Sequence, residues 1–188
     1  MERSDLRVVH ACWSACCVPS WTNRWDGYWD RHAIDIARDH CDAEALYREY
    51  DARIKNDISG RDLDETDKDL HQQNRNPVKL ITSGPEERTD KPFMAGGKRR
   101  CERRVEWWND YDASAYCVFG HYASPPGEPH GAGRAICIDY GAGKRSQERR
   151  QGGGHEASFQ HKLAALRFPK MILVFDDGEE MPVDCGVR

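Results

Sequence analysis

Short apolar runs alternate with long polar stretches along this chain. Six segments have the length and the β-branched or aromatic content that is typical of buried strands. They are "DLRVVHACW", "VKLITSG", "AYCVFGHY", "RAICIDYG", "HKLAALRF" and "KMILVFDDGEEM". Gly, Pro or Asp residues follow most of them, as expected where a strand passes into a turn.

One stretch has a helical period instead. Apolar residues recur every three to five positions between 30 and 58, which predicts an amphipathic helix that ends at Ser59 and Gly60. Residues 59–76 are highly charged and predict a solvated polar loop or a short exposed helix. Residues 77–188 are rich in predicted strands. We therefore expect an α/β (α+β) fold, mostly strands after one long helix, in a single domain over 1–188.

Composition narrows the classes of partner. The net charge of -4 argues against generic binding to nucleic acid or to an anionic membrane. No apolar run approaches a transmembrane length, and the first residues lack a signal-peptide pattern. The expectation is a cytoplasmic protein with no membrane partner and no nucleic acid. Its eight cysteines are expected to be reduced thiols.

Two of the predicted strands end in a histidine. His10 follows "LRVV", and His121 follows "CVFG", where Gly120 allows a close backbone approach. Two neutral imidazoles that converge from separate strands are suited to a transition-metal ion. A hydrogen-bonded interior histidine is the alternative for each. A zinc site of His10 with Cys12, Cys16 and Cys17 lacks the usual second pair of ligands.

The order of several motifs resembles a known family. "LRVVHACW", "FGHY", "ICIDYGAGKR" and "KLAALRFP" followed by "LVFDDG" are similar to the C-terminal half of bacterial calcineurin-like metallophosphoesterases. The segments "LITSGPE", "GGKRR" and "RRVEWW" resemble the insert of that family. The similarity covers residues 5–178. Ala123 replaces a second histidine after "GH", which resembles the branch of serine/threonine protein phosphatases and diadenosine-tetraphosphate hydrolases.

The resemblance implies a layered αββα sandwich and a dinuclear centre of Mn, Fe, Zn or Ni. It implies that His10 and His121 bind one of these divalent metal ions, with Asp139 placed just behind the ligands. The substrate would be phosphorylated: a phosphomonoester or a nucleoside polyphosphate. In the family, two ions activate a hydroxide for attack on phosphorus.

The metal-binding and catalytic motifs of the N-terminal half of that family have no convincing counterpart in this sequence. Asp30–His32 fits Asp-x-His only by its letters, and "GGHE" at 153–156 lacks the family's asparagine. No catalytic residue is therefore identifiable, and the expected metal site is incomplete. The expectation is a truncated phosphoesterase, weakly active or inactive alone. The alternative is a non-catalytic remnant or protein-interaction module, with self-association through an exposed sheet edge.

A basic run and a tryptophan pair each have both a structural and a functional interpretation. The basic run at 98–104 could attract phosphate, but a solvated charged strand pair accounts for it better. Trp107 and Trp108 could stack on a base, but core packing is favoured, and neighbours on a strand would face opposite sides.

Overall fold

The computed structural model describes residues 3–13, 40–125, 127, 129–152 and 159–183, without the side chains of 40–43 and 152. Within these residues the fold is mixed α+β, with four helices and three sheets. The helices are α1 (His40–Ile58), α2 (Glu65–Arg75), α3 (Pro77–Ser83) and α4 (Arg145–Gly152). The strands are β1 (Leu6–Val8), β2 (Glu86–Ala95), β3 (Lys98–Arg104), β4 (Tyr116–Phe119), β5 (His130–Ala132), β6 (Ala135–Cys137), β7 (Asp139–Tyr140), β8 (Lys162–Arg167), β9 (Ile172–Phe175) and β10 (Glu180–Pro182). No helix among the described residues is long and apolar enough to cross a membrane.

The chain groups into two compact units. One contains Met1–His10 and Trp108–Arg188, and the other contains Ala11–Trp107. The single-domain assignment stays a prediction.

The first sheet of the first unit has the order β1-β4-β6-β5. β1, β4 and β6 run parallel, and β5 pairs antiparallel with β6. The central strands are buried at Cys117, Val118, Phe119 and Ile136, as expected for apolar runs covered on both faces. The predicted strands at "LRVV", "YCVF" and "AIC" are confirmed.

The second sheet has the order β10-β9-β8-β7 and is antiparallel throughout. Tyr140, Leu173 and Phe175 form the centre of its core. The predicted strands at "KLAALR" and "ILVF" are confirmed, as is the turn at Asp176–Gly178 that leads into β10.

Three helices lie among the described residues of the second unit, and α3 differs from the sequence prediction. The predicted 30–58 helix ends at Ile58 as expected, while the positions before 40 lie outside the described residues. Residues 59–76 contain the short helix α2, which begins at an Asp64 cap. The short-helix alternative for 59–76 is therefore confirmed.

The predicted strand at "VKLITSG" is wrong. These residues form α3, because Asn76 caps its first turn and Pro77 occupies the first helical position, where a missing N–H costs nothing. The Asn76 side chain is fully buried. Its oxygen accepts from the Val78 amide at 3.1 Å, and its nitrogen donates to the Tyr47 carbonyl at 3.0 Å. A local capping signal therefore outweighs the apolar run.

The remaining strands form a hairpin. β2 and β3 pair antiparallel around the Gly96–Gly97 turn, with an irregularity between Arg88 and Phe93. Its base is anchored on α2, since Arg88 bonds to Asp64 and Asp67.

Candidate functional site

The candidate site lies at one edge of the first sheet. His10, His121 and Asp139 each stand two residues beyond a parallel strand, after β1, β4 and β6. The carboxyl ends of parallel strands meet at one edge, where open sheets commonly bind ligands. The topology therefore brings together three side chains that are far apart in sequence.

The two imidazoles are neighbours. The ring centres of His10 and His121 lie 5.3 Å apart, with the planes tilted by 50°. The backbone ladder continues to them, because the Gly120 amide donates to the His10 carbonyl at 2.8 Å. A Cβ at Gly120 would lie 3.3 Å from that carbonyl oxygen, so the close approach favours glycine. The two histidines that end "VVH" and "FGH" therefore lie close together, as the sequence predicts.

His121 has an unusual backbone. Its φ is 67°, in the left-handed region that costs an L-residue about 1–2 kcal/mol. Its amide donates to the Asp139 carboxylate at 2.9 Å, and the other oxygen of Asp139 accepts from the Gly141 amide at 2.8 Å. Backbone strain of this kind persists where neighbouring contacts fix the geometry, and it concentrates at functional sites. Asp139 thus fixes the turn that carries the His121 ring.

An aromatic cluster packs beside this turn. Trp108 stacks on Phe119 at 5.1 Å and meets the edge of Tyr122 at 4.8 Å and of His130 at 4.9 Å. Trp107 and Trp108 are both buried, in agreement with core packing. They lie in a 3₁₀ turn, Trp107–Asp110, and the strand geometry assumed for the pair is therefore wrong.

Nearby thiol and phenol groups stay protonated at neutral pH. Burial raises the pKa of Cys137 to about 11 and that of Tyr140 to about 12. The Cys137 thiol donates to the Tyr122 carbonyl at 3.6 Å. At neutral pH, Cys137 and Tyr140 therefore supply neither a thiolate nor a phenolate at this edge.

The cysteine expectation needs one correction. Cys101, Cys117 and Cys137 are free, as expected, but Cys12 is disulfide-bonded. A Cys12 held in a disulfide has no thiolate for the disfavoured zinc alternative.

Few side chains that could bind a metal ion lie close together in the described part of the chain. Its residues contain no group of three or more His, Cys, Asp or Glu side chains that could hold a metal ion. Metal ligation by His10 and His121, with support from Asp139, stays a prediction. The discounted motifs at 30–32 and 153–156, together with Cys16 and Cys17, lie outside the described residues.

Sequence reasoning missed the left-handed backbone of His121 and the role of Gly141. The sequence offers the motifs Gly120-His121 and Asp139-Tyr140-Gly141, but neither motif specifies the φ angle of His121. No protein-family model, curated protein or solved structure matches this chain.

Proposed function

We propose that His10 and His121 are ligands of one divalent metal ion in a metal-dependent phosphoesterase of the calcineurin-like type. The observation that carries this proposal is their convergence from adjacent parallel strands, with ring centres 5.3 Å apart. The proposal includes membership of the two sheets in a layered αββα sandwich. It rests on the motif resemblance as well as on this geometry.

The spacing fits two ligands of one ion. Metal–nitrogen bonds of about 2.1 Å in tetrahedral geometry place two imidazole centres about 5 Å apart. The donor type also fits, since neutral imidazole suits Fe, Zn and Ni ions in proteins. His10 is solvent-exposed, so an ion would reach its ring without opening the core.

Each chain residue has a distinct part in the proposed site. His10 and His121 hold the ion, and Asp139 positions His121 through the main-chain amide. Gly120 lets the two strand ends approach. When bound, divalent ions supply a hydroxide nucleophile and neutralise phosphate oxygens. A phosphomonoester or a nucleoside polyphosphate is the proposed substrate class.

Two imidazoles alone form only part of a dinuclear centre. We therefore expect weak metal affinity and low turnover from this chain by itself. The test separates metal binding from phosphate chemistry. Co²⁺ binding is followed by visible absorption, and the affinity for inorganic phosphate is measured by calorimetry with and without Mn²⁺.

The wild-type chain should bind Co²⁺, and phosphate should bind more tightly when Mn²⁺ is present. His10→Ala and His121→Ala should each weaken both effects by tenfold or more, because a ligand is lost. His71→Ala is the matched control, since it removes an imidazole from α2. Unchanged Co²⁺ binding in both site variants would contradict the metal site. Phosphate binding that is indifferent to Mn²⁺ would contradict the phosphoesterase assignment alone.

A further inference from the structure

The β2–β3 hairpin carries an exposed tip of unusual composition. Residues 92–97 read "PFMAGG", six positions without a polar side chain, and every residue from 91 to 100 is exposed. Phe93 is 47% exposed and Met94 is 68% exposed. Exposed apolar side chains grouped in this way commonly mark an interaction site.

The two large side chains of the tip point to opposite faces. Phe93 pairs with Arg100, and Met94 pairs with Arg99, so successive positions face opposite sides of the ribbon. A flat partner that covered one face would leave the other apolar side chain in water. A partner that receives the ribbon tip-first would cover both.

A cationic collar surrounds the apolar tip. Lys91 precedes it and Lys98, Arg99 and Arg100 follow it, against the single carboxylate of Asp90, which gives a local charge of +3. Arg100 pairs with Glu102 at 3.0 Å. Among the described residues, Lys91, Lys98 and Arg99 have no acidic partner within salt-bridge distance. The hairpin arginines nearer the base, Arg88 and Arg103, do have carboxylate partners.

The hairpin has a rigid base. Arg88 bonds to the Asp64 carboxylate at 2.6 Å, and Asn74 and Glu86 exchange two hydrogen bonds, of 2.7 Å and 2.9 Å. These contacts fix the base of the ribbon on α2, while every residue of the tip is exposed. The apolar side chains of the tip are thus largely available to a partner.

We propose that the tip of the β2–β3 hairpin docks on an anionic lipid bilayer. Phe93 and Met94 enter the interface from the two faces of the ribbon, and Lys91, Lys98 and Arg99 contact lipid phosphates. Apolar insertion combined with basic attraction is the pattern of interfacial membrane binding. The chain-wide charge of -4 conceals this site because most of the acidic residues lie outside the hairpin.

The test is sedimentation of the purified chain with vesicles. Vesicles of phosphatidylcholine with 30 mol% phosphatidylglycerol are compared with pure phosphatidylcholine in about 0.1 M salt. The wild-type chain should bind the anionic vesicles and not the neutral ones. Lys98→Glu with Arg99→Glu should weaken binding by about 25-fold or more, since each cation near the surface contributes about fivefold.

Phe93→Ser with Met94→Ser should weaken binding by about tenfold. Both pairs are exposed, so circular dichroism should show an unchanged fold. Arg150→Glu with Lys170→Glu is the matched control, because it makes the same charge change at exposed positions outside the hairpin. It should change binding by less than about threefold.

Three results would overturn the proposal. The first is that the chain binds neutral and anionic vesicles equally well, or binds neither kind. Another is loss of binding in the charge variant with full binding in the apolar variant, which would mean attraction without insertion. The third is tighter binding of a single-stranded RNA oligomer than of vesicles, with dependence on the same residues, which would assign the tip to nucleic acid.

Discussion

Replacing Asp139 with alanine should loosen the turn that carries the His121 ring. The carboxylate accepts two main-chain hydrogen bonds, from His121 at 2.9 Å and from Gly141 at 2.8 Å. Hydrogen bonds to a charged group contribute about 1.5 kcal/mol or somewhat more each, so Asp139→Ala should lower the free energy of unfolding by about 3 kcal/mol. The left-handed backbone at His121 should then relax, because its amide loses the carboxylate acceptor.

Asp139→Asn provides an intermediate case. The amide keeps one acceptor oxygen and replaces the other with a donor, so we expect roughly half of the loss. Urea denaturation measures both variants, and Co²⁺ titration measures the second effect. Mutation of a group that orients a metal ligand typically costs about 10- to 100-fold in affinity, and Asp139→Ala should fall in that range.

Asp112→Ala is the control, since Asp112 is an exposed carboxylate without a hydrogen bond to any residue that the structure describes. It should change the free energy of unfolding by less than about 0.5 kcal/mol. The reasoning is refuted if Asp139→Ala unfolds at the same urea concentration as the wild type. It is also refuted if stability falls while Co²⁺ affinity stays unchanged, because the carboxylate would then support the fold without orienting His121.

Two more predictions concern the second sheet and its neighbours. Asp176 accepts hydrogen bonds from Arg145, and this contact lowers the pKa of the Asp176 carboxyl to about 2. The ion pair therefore stabilises the fold above about pH 4, and this stabilisation is lost as the pH falls toward 2. With 32% of the Asp176 side chain exposed, the contribution should be about 1 kcal/mol, and Asp176→Asn should remove that part of the acid dependence in pH-dependent denaturation. Gly141→Ala should destabilise the chain by about 2–3 kcal/mol, since its Cβ would lie 2.3 Å from His161 Cδ2 at a φ of 75°. Gly143→Ala, with open space around the new Cβ, should change thermal stability by less than about 0.5 kcal/mol, and an equal loss in both variants would contradict the steric argument.

Part of the fold could be predicted from the sequence because its signals are local. Runs such as "YCVF" and "ILVF" are short, apolar and bounded by turn residues, and they form β4 and β9. The helix that ends at Ile58 was equally clear from its period. The apolar content of 77–83 predicts a strand, but an Asn-Pro cap starts a helix there and is the stronger signal.

The proximity of His10 and His121 could be predicted from the sequence, and the backbone geometry of the turn could not. A histidine after a strand is visible in one dimension, and parallel pairing of β1 with β4 makes His10 and His121 neighbours. The left-handed turn at His121 depends on a carboxylate 18 positions away, which no local pattern encodes. The hairpin tip shows a similar limit, because net charge describes the chain as a whole while a binding surface depends on where the charges lie.

Histidine NMR during Mn²⁺ addition tests the central claim most directly. Mn²⁺ broadens the imidazole protons nearest to it, and single His→Ala variants assign those signals. The account predicts that the His10 and His121 signals broaden together at the lowest Mn²⁺ concentrations, while the His71 signal stays sharp. Broadening of only one of the pair, or of another histidine first, would contradict the proposal that these two imidazoles share one ion.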